Sequence, residues 1–278
     1  MKVTLVQKEY SLGEKSKSLT LMEREIKSAK SDLVIFPELF LTGYGIKDRL
    51  HTEAETLEGP SVKALASLCK KQKKAIIFGM PRADVKVRGN IYNSAVMILP
   101  DGSVHCYDKW FLANFGPFEE KEFFTPGRSL PVIQTPWGRF GLIICFDAFL
   151  PEITKAYALA GADCVVCISA SPTTSRSFFE KILPARAIES TVFMIYCNVV
   201  GTDNNMVFWG GSRVIGPNGQ EIAVSDALKK ENLKAEIELS EVASARRNRP
   251  TLRETRPELY EAMLYQVLVE YGSTNRST

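Results

Sequence analysis

The chain has 278 residues, of which 45% are hydrophobic and 24% are charged, and its formal net charge is +3. This composition is that of an ordinary globular protein with enough apolar side chains for a sizeable core. The small net charge gives no reason to expect a nucleic acid or an anionic membrane as a partner, and no apolar run is long enough to span a bilayer.

The first half of the sequence predicts strands that alternate with helices. Short β-branched runs predict the strands, and apolar residues at helical spacing predict the helices. The predicted strands are Val3–Gln7, Leu33–Phe36 and Ala75–Gly79, and the helices are Lys17–Ala29 and Ser61–Gln72. The dipeptide Asp101-Gly102 separates Ile91–Pro100 from Ser103–Tyr107, which predicts a hairpin because Asp-Gly favours a tight turn.

The second half repeats this alternation. The predicted strands are Phe140–Ile144, Cys164–Ser169, Val192–Asn198 and Leu233–Leu239, and the helices are Glu152–Leu159 and Phe178–Glu189. The turn Pro217–Gly219 predicts a second hairpin between Gly211–Ile215 and Glu221–Val224. Together the elements predict an α/β fold in which two mixed sheets pack face to face with helices outside.

No linker divides the chain, so residues 1–278 are expected to form a single domain. The segment 240–278 is polar and helix-prone, and we expect it to pack on a partner subunit. The N-terminus passes directly into a strand pattern without a signal sequence, which predicts a cytoplasmic protein.

Six cysteines are scattered along the chain, which disfavours a disulfide framework. Cys164 and Cys167 form a C-x-x-C, but residues three apart on a strand point to opposite faces. We therefore interpret them as core residues rather than as a metal or redox pair. The only histidines, His51 and His105, belong to no dense cysteine and histidine cluster, so no metal site is expected.

Glu38 follows a buried-type strand directly and is surrounded by apolar residues. A carboxylate in such surroundings holds a proton more readily and suits a general base. The alternative interpretation is a solvated acid at the end of a strand.

Lys109 also follows a predicted strand and is flanked by Tyr107 and by Trp110. A desolvated ammonium group is suited to stabilising a developing oxyanion. The alternative interpretation is a surface lysine whose stem covers apolar area.

Cys145 ends the apolar run that begins at Phe140, and a helix is expected to start near Pro151. A thiol at this position should face the N-terminal amides of that helix, and Lys109 could lie beside it. Both effects lower the pKa of a thiol, so a reactive thiolate is predicted. The backbone amide of Phe146 is placed to donate to an oxyanion. By composition alone, a cysteine such as Cys145 is more often a buried core residue.

Together and in this order, the three segments resemble the motifs of the nitrilase, or carbon–nitrogen hydrolase, superfamily. The matching stretches are Phe36–Tyr44, Tyr107–Lys109 and Cys145–Glu152, supported by Asn90–Ala95, Phe124–Gly127 and Ala185–Glu189. The resemblance runs from about Val3 to Tyr260.

This resemblance implies a four-layer α-β-β-α sandwich with Glu38, Lys109 and Cys145 as a catalytic triad. It also implies a second active-site carboxylate, for which Glu120 fits better than Glu119, that orients the substrate nitrogen or supports proton transfer. It implies no metal or organic cofactor. It implies a homodimer or higher homo-oligomer, in which subunits pack through the predicted helices Glu152–Leu159 and Phe178–Glu189.

The substrate implied by the resemblance is a small amide or carbamoyl compound. The residues expected to contact it are Tyr44, Phe146, Phe149 and Ser171. Many family members that act on acid-bearing substrates have an arginine where this chain has Phe149, so we expect a neutral, apolar or cationic group there. The alternative is that Arg176 binds a carboxylate instead. Phe146-Asp147 after the cysteine favours an amidase over a nitrilase.

Three other functions are alternatives to an amidase with this triad. A cysteine–histidine pair would need His51 or His105, neither of which has an evident orienting partner. A non-catalytic binding protein would have no need to keep the complete Glu38, Lys109 and Cys145 set. A glutaminase that supplies ammonia to a synthetase could act only in trans, because no phosphate-binding glycine loop is present.

Overall fold

The fold is built on two six-stranded mixed sheets, seen in a computed structural model that describes residues 1–203 and 205–271. The first sheet has the order β14-β1-β2-β3-β4-β5, and β1, β2 and β3 are parallel within it. Its strands are β1 (Lys2–Gln7), β2 (Leu33–Ile35), β3 (Ala75–Ala83), β4 (Ile91–Ile98), β5 (Val104–Asp108) and β14 (Glu231–Glu236).

The second sheet has the order β13-β12-β9-β8-β7-β6, with β7, β8 and β9 parallel. Its strands are β6 (Ile133–Gln134), β7 (Arg139–Ile144), β8 (Cys164–Ser169), β9 (Phe193–Asn198), β12 (Arg213–Ile215) and β13 (Glu221–Val224). A separate hairpin consists of β10 (Val200–Asp203) and β11 (Met206–Trp209). These sheets confirm the predicted α/β class with two mixed sheets.

Helices cover the outer faces of both sheets. The helices among the described residues are α1 (Lys15–Ser28), α2 (Leu50–Glu53), α3 (Pro60–Gln72), α4 (Glu120–Phe123), α5 (Pro151–Leu159), α6 (Arg176–Ser190), α7 (Glu241–Asn248) and α8 (Pro257–Gln266). Helices α1 and α3 contact each other over the first sheet, and α5 and α6 do so over the second. The two predicted hairpins form as β4–β5 and β12–β13.

Alternation along the strands produces these layers. In β2, Leu33 and Ile35 face the core between the two sheets, whereas Val34 faces the core beneath α1 and α3. In β3, Ile77 likewise faces the core between the sheets, and Ile76 faces the core beneath α1 and α3. Successive side chains of a strand point to opposite faces, so a strand that is apolar throughout must be covered on both sides.

The topology brings the carboxyl ends of four strands to one region. Strands β2 and β5 run in the same direction in the first sheet, and β7 and β8 do so in the second. Glu38 and Lys109 follow the first two strands, and Cys145 and Ala170 follow the other two. Ligands of α/β sheets usually bind beyond such strand ends.

The C-terminal segment differs from its prediction. It is helical, as expected, but α8 exposes large apolar side chains rather than a mainly polar surface, among them Leu259, Met263 and Leu264. Residues 272–278 of the predicted tail lie outside the described residues. Among the described residues, no helix has the length and apolar character that a bilayer crossing requires.

Candidate active site

Glu38 is held by three donors in the fully buried region between the sheets. Its Oε1 accepts hydrogen bonds from Asn93 Nδ2 at 2.7 Å and Lys109 Nζ at 3.0 Å. Its Oε2 accepts one from the backbone amide of Ala170 at 2.7 Å. The carboxylate is therefore fixed by both sheets, since Asn93 lies on β4 and Ala170 follows β8. The alternative of a solvated strand-end acid is wrong, because Glu38 is 0% exposed.

Lys109 forms a second ion pair from the same buried position. Its Nζ lies 2.7 Å from Glu120 Oε1 as well as 3.0 Å from Glu38 Oε1, and its side chain is 0% exposed. Burial acts to lower the pKa of Lys109, but the carboxylates of Glu120 and Glu38 outweigh it and raise the pKa well above its usual value. The side chain is thus a permanent cation and not the surface lysine of the alternative interpretation.

Glu120 begins the short helix α4 and is almost fully buried. Its Oε1 also accepts a hydrogen bond from the Tyr44 hydroxyl at 2.7 Å, and its Oε2 accepts one from the Ala113 amide at 3.0 Å. Burial raises the pKa of Glu120, while the Lys109 ammonium acts to lower it. The competing residue Glu119 pairs with Lys47 at the surface, so only Glu120 joins the buried cluster.

Cys145 lies at the sharp turn between β7 and α5, with a backbone φ of 46°. A non-glycine residue in this left-handed region is strained, and such strain is common at functional sites. The sulfur interacts electrostatically with Glu38, Lys109 and Glu120. The structure thus brings together all four residues that the sequence identified as candidate catalytic groups.

The predicted lowering of the Cys145 pKa is wrong. Burial raises the pKa of this thiol well above its usual value, and the negative charge of Glu38 adds to the effect. Lys109 acts in the opposite direction, but burial and the charge of Glu38 outweigh it. The resting group is therefore a thiol, which needs a base to become a nucleophile.

Asp147 is a buried group whose role sequence reasoning missed. Its Oδ2 accepts hydrogen bonds from the Tyr107 hydroxyl at 2.7 Å and the Ile144 amide at 3.0 Å, and its Oδ1 accepts one from the Phe111 amide at 2.9 Å. Burial raises the pKa of Asp147 to about 6. These bonds join the turn that carries Cys145 to the segment around Lys109. The sequence signal that could have identified Asp147 is an acidic residue two positions after Cys145, at the end of an apolar strand.

Gly79 is a second functional residue that sequence reasoning missed, because no pattern around it indicates a role. A Cβ added there would lie 2.1 Å from the backbone nitrogen of Leu39. The Gly79 amide donates to the Pro37 carbonyl at 3.1 Å, and its carbonyl accepts from the Leu41 amide at 3.2 Å. Only a residue without a side chain permits this approach, which supports the backbone on both sides of Glu38.

A cavity of about 180 Å³ reaches Cys145. Three of the four predicted substrate-contacting residues line it, namely Phe146, Phe149 and Ser171. The fourth, Tyr44, lies instead in a neighbouring cavity of about 100 Å³ that also contains Glu120. Access to the sulfur is therefore open from the side of the phenylalanines.

The groups assigned structural roles lie elsewhere. Cys164 and Cys167 are fully buried on β8, which agrees with their interpretation as core residues. His51 lies on α2 and His105 on β5, and neither lines the cavity at Cys145. Within residues 1–203 and 205–271, no group of three or more histidine, cysteine or acidic side chains is placed to hold a metal ion.

Comparison with known proteins gives a consistent result. Residues 2–247 match the sequence model of the carbon–nitrogen hydrolase family. A protein of Schizosaccharomyces pombe named as a probable nitrilase is 32% identical over 243 residues, which cover 84% of this chain and 86% of that protein.

Solved structures are similar over nearly the whole chain. A carbon–nitrogen hydrolase from Helicobacter pylori G27 has a TM-score of 0.86 and 26% identity, covering 95% of this chain and 98% of that one. A mutant amidase from Nesterenkonia sp. AN1, with the acetamide moiety of fluoroacetamide covalently added at its active-site cysteine, has a TM-score of 0.81 and 25% identity, covering 95% and 97%. The match of the family along 2–247, together with these likenesses, shows that this chain is an enzyme of the carbon–nitrogen hydrolase family.

Proposed function

We propose that the protein hydrolyses the C–N bond of a small linear amide through a thioester on Cys145. The observation that carries the proposal is the single buried cluster of Glu38, Lys109, Glu120 and Cys145. A base, a cation and a thiol in one buried cluster are the groups that nucleophilic acyl transfer requires.

Acylation begins with a thiol whose pKa is raised, so proton removal must accompany attack. Glu38 accepts the thiol proton as the sulfur bonds to the amide carbon, and the carbonyl oxygen becomes an oxyanion. The described contacts of Lys109 account for two of its three N–H donors, which leaves the third for this oxyanion. The Phe146 amide is the second donor that we assign to it.

Collapse of the tetrahedral intermediate breaks the C–N bond. Glu38 returns its proton to the leaving nitrogen, and ammonia or an amine departs from the thioester. Water then attacks the acyl carbon and gives a proton to Glu38, the C–S bond breaks, and the thiolate takes that proton back. Glu120 holds Lys109 through its Oε1 and keeps the ammonium in position during both steps.

An assay of ammonia release from simple amides, combined with mass spectrometry of the intact protein, tests this function. We expect an acyl adduct on Cys145 during turnover. Cys145→Ala should lower kcat by about 10⁴-fold or more, because the nucleophile is lost. Cys106→Ala removes a partly buried cysteine outside the site and should leave kcat unchanged. An active Cys145→Ala protein would contradict the proposal.

Nitrile hydrolysis to the acid is the main alternative reaction, and the same assay addresses it. We expect benzonitrile and acetonitrile to release ammonia far more slowly than acetamide, and comparable rates would contradict the assignment as an amidase. A glutaminase acting in trans is less well supported, because glutamine carries a charged ammonium and carboxylate. Of the described residues that line the cavity at Cys145, none has a charged side chain.

We also infer that the enzyme forms a homodimer. The support is the apolar surface of α8 and an exposed leucine, Leu159, on α5. Light scattering should give twice the mass of 31.0 kDa. Leu264→Lys should weaken the dimer because it places a charge on the exposed face of α8. A monomer at micromolar concentration would contradict the inference.

A further inference from the structure

The cavity at Cys145 is lined mainly by aromatic rings. Six of its lining residues are phenylalanines, namely Phe115, Phe118, Phe146, Phe149, Phe178 and Phe179. Among the described residues that line it, Ser171 and Ser175 supply the hydroxyl groups. The wall of the cavity is therefore mainly aromatic, and its rings come from separate segments of the chain that the fold brings together.

Most of these rings contact each other in series around the cavity. The ring centroids of Phe115 and Phe146 are 5.0 Å apart, those of Phe146 and Phe149 are 5.5 Å apart, and those of Phe149 and Phe179 are 5.2 Å apart. The pairs are tilted or edge-to-face, as aromatic pairs prefer. Further ring faces and edges are accessible, since Phe115 is 51% exposed and Phe178 is 56% exposed.

The orientation of the substrate follows from which reacting groups line the cavity. Of the four clustered groups, only Cys145 does so. The leaving nitrogen must receive a proton from Glu38, so it points toward the buried carboxylates and away from the phenylalanines. The rest of the acyl group, which stays bonded to the sulfur in the thioester, extends into the cavity.

We propose that the natural substrate is an amide whose acyl part carries an uncharged aromatic ring, an arylacyl amide. This inference rests on the proposed function and names its substrate class. The volume of about 180 Å³ is sufficient for one ring, because an apolar cavity of about 150 Å³ holds benzene. Ring–ring contact adds to the gain from burying apolar area.

A carboxylate on the acyl group would find no cationic partner among the described residues that line this cavity. Arg176 was the candidate for binding one, but its Nε donates to Glu180 Oε1 at 2.8 Å and its guanidinium lies 5.6 Å from the centre of the Trp209 ring. It is not among the residues that line the cavity. Burying an unpaired carboxylate against phenylalanines is costly, so acid-bearing amides are disfavoured.

The test compares kcat/KM for five amides on the full-length protein. They are acetamide, hexanamide, phenylacetamide, N-benzylacetamide and the monoamide of glutaric acid. We expect phenylacetamide to exceed acetamide by about 30-fold, from burial of a ring. We expect it to exceed hexanamide by about 3-fold, from aromatic contact.

A preference for N-benzylacetamide would overturn the inference, because it would put the ring on the amine side. A preference for the glutaric monoamide, or equal rates for phenylacetamide and acetamide, would also overturn it. In these cases the proposed function stands, since amides are still hydrolysed. If no amide is hydrolysed and Cys145 is not acylated, the proposed function itself fails and this inference with it.

A pair of variants links the preference to the cavity wall. Phe115→Ala removes a half-exposed ring, so its effect on folding should be small, and it should lower the ratio of phenylacetamide to acetamide kcat/KM by about 5-fold. Ile222→Ala removes an exposed apolar side chain from the edge strand β13 and should leave the ratio unchanged. An unchanged ratio in Phe115→Ala would overturn the inference.

Discussion

The two sides of Cys145 differ in almost every physical property. On one side lie Glu38, Lys109 and Glu120, ionised or ionisable groups that are buried and fixed by short hydrogen bonds. On the other side lies a solvent-accessible cavity with phenylalanine walls, and none of the lining residues that the structure describes is charged. In the reaction proposed above, this difference amounts to a division of labour, in which the polar side would perform the reaction and the aromatic side would select the acyl group.

Ion pairing and hydrogen bonding explain why the polar side is stable despite its burial. Two carboxylates contact one ammonium, and Glu38 also accepts bonds from Asn93 and Ala170. Buried charges are tolerated when they are paired and hydrogen-bonded, and they become costly when one partner is removed. The aromatic side has no such constraint, so it can vary without loss of the reaction.

The largest effect is expected from removing the ammonium group of Lys109 on the polar side. Lys109→Met should lower kcat by about a thousandfold for every amide, because the oxyanion loses its cation. It should also lower the free energy of unfolding by about 3–5 kcal/mol, since two carboxylates are left unpaired. Kinetics and denaturant unfolding measure both effects. Lys63→Met, an exposed change on α3, is the control. A changed preference between phenylacetamide and acetamide would contradict the division of labour.

The next effect concerns Asp147, whose pKa burial raises to about 6 in the folded state. Its unfolded value is about 3.9, so the folded state binds this proton more tightly. The resulting stabilisation, about 3 kcal/mol, is fully present below about pH 4 and is lost as the pH rises through about 6. Asp147→Asn should lack this part of the pH dependence.

Denaturant unfolding of both proteins from pH 4 to pH 8 checks this prediction. The difference in unfolding free energy between wild type and Asp147→Asn should change with pH in that window. Groups common to both proteins cancel in the difference. Parallel curves would show that the titration of Asp147 is not coupled to folding.

A smaller effect is expected at Gly79, which supports the backbone around Glu38. Gly79→Ala puts a Cβ against the Leu39 nitrogen and must displace Glu38. We expect kcat to fall about 30-fold with little change in KM, because a misplaced base slows the reaction without altering the cavity. Gly89→Ala is the control: its φ of 94° makes an alanine strained there, but the position is exposed and a Cβ would meet no atom within 4 Å, so the strain stays local and activity should not change. A raised KM with an unchanged kcat would show instead that the substrate cavity was disturbed.

The smallest effect is expected from adding a charge to the aromatic side, which tests how the cavity selects the acyl group. Phe178→Lys places a cation at the exposed rim of the cavity. It should raise kcat/KM for the monoamide of glutaric acid by about 5-fold, the size of a Coulomb interaction in water at contact distance. Ile222→Lys adds the same charge away from the cavity and serves as the control. An equal gain in both variants would indicate a general effect of net charge.

The sequence by itself determined the fold class and the candidate reacting groups. Alternating apolar strands and helices predicted two mixed sheets, because the period of each pattern reflects which faces are buried. Glu38, Lys109 and Cys145 could be selected because each is a reactive residue type at the end of an apolar strand. These are local signals that the order of residues carries directly.

Only the tertiary structure decided the state of those groups and their surroundings. The raised pKa of Cys145, the buried bonds of Asp147 and the close approach of Gly79 all depend on atoms supplied by distant segments. The same is true of the phenylalanine cavity, whose rings come from separate parts of the chain. Electrostatic energy and packing depend on distance in space, which spacing along a chain does not specify.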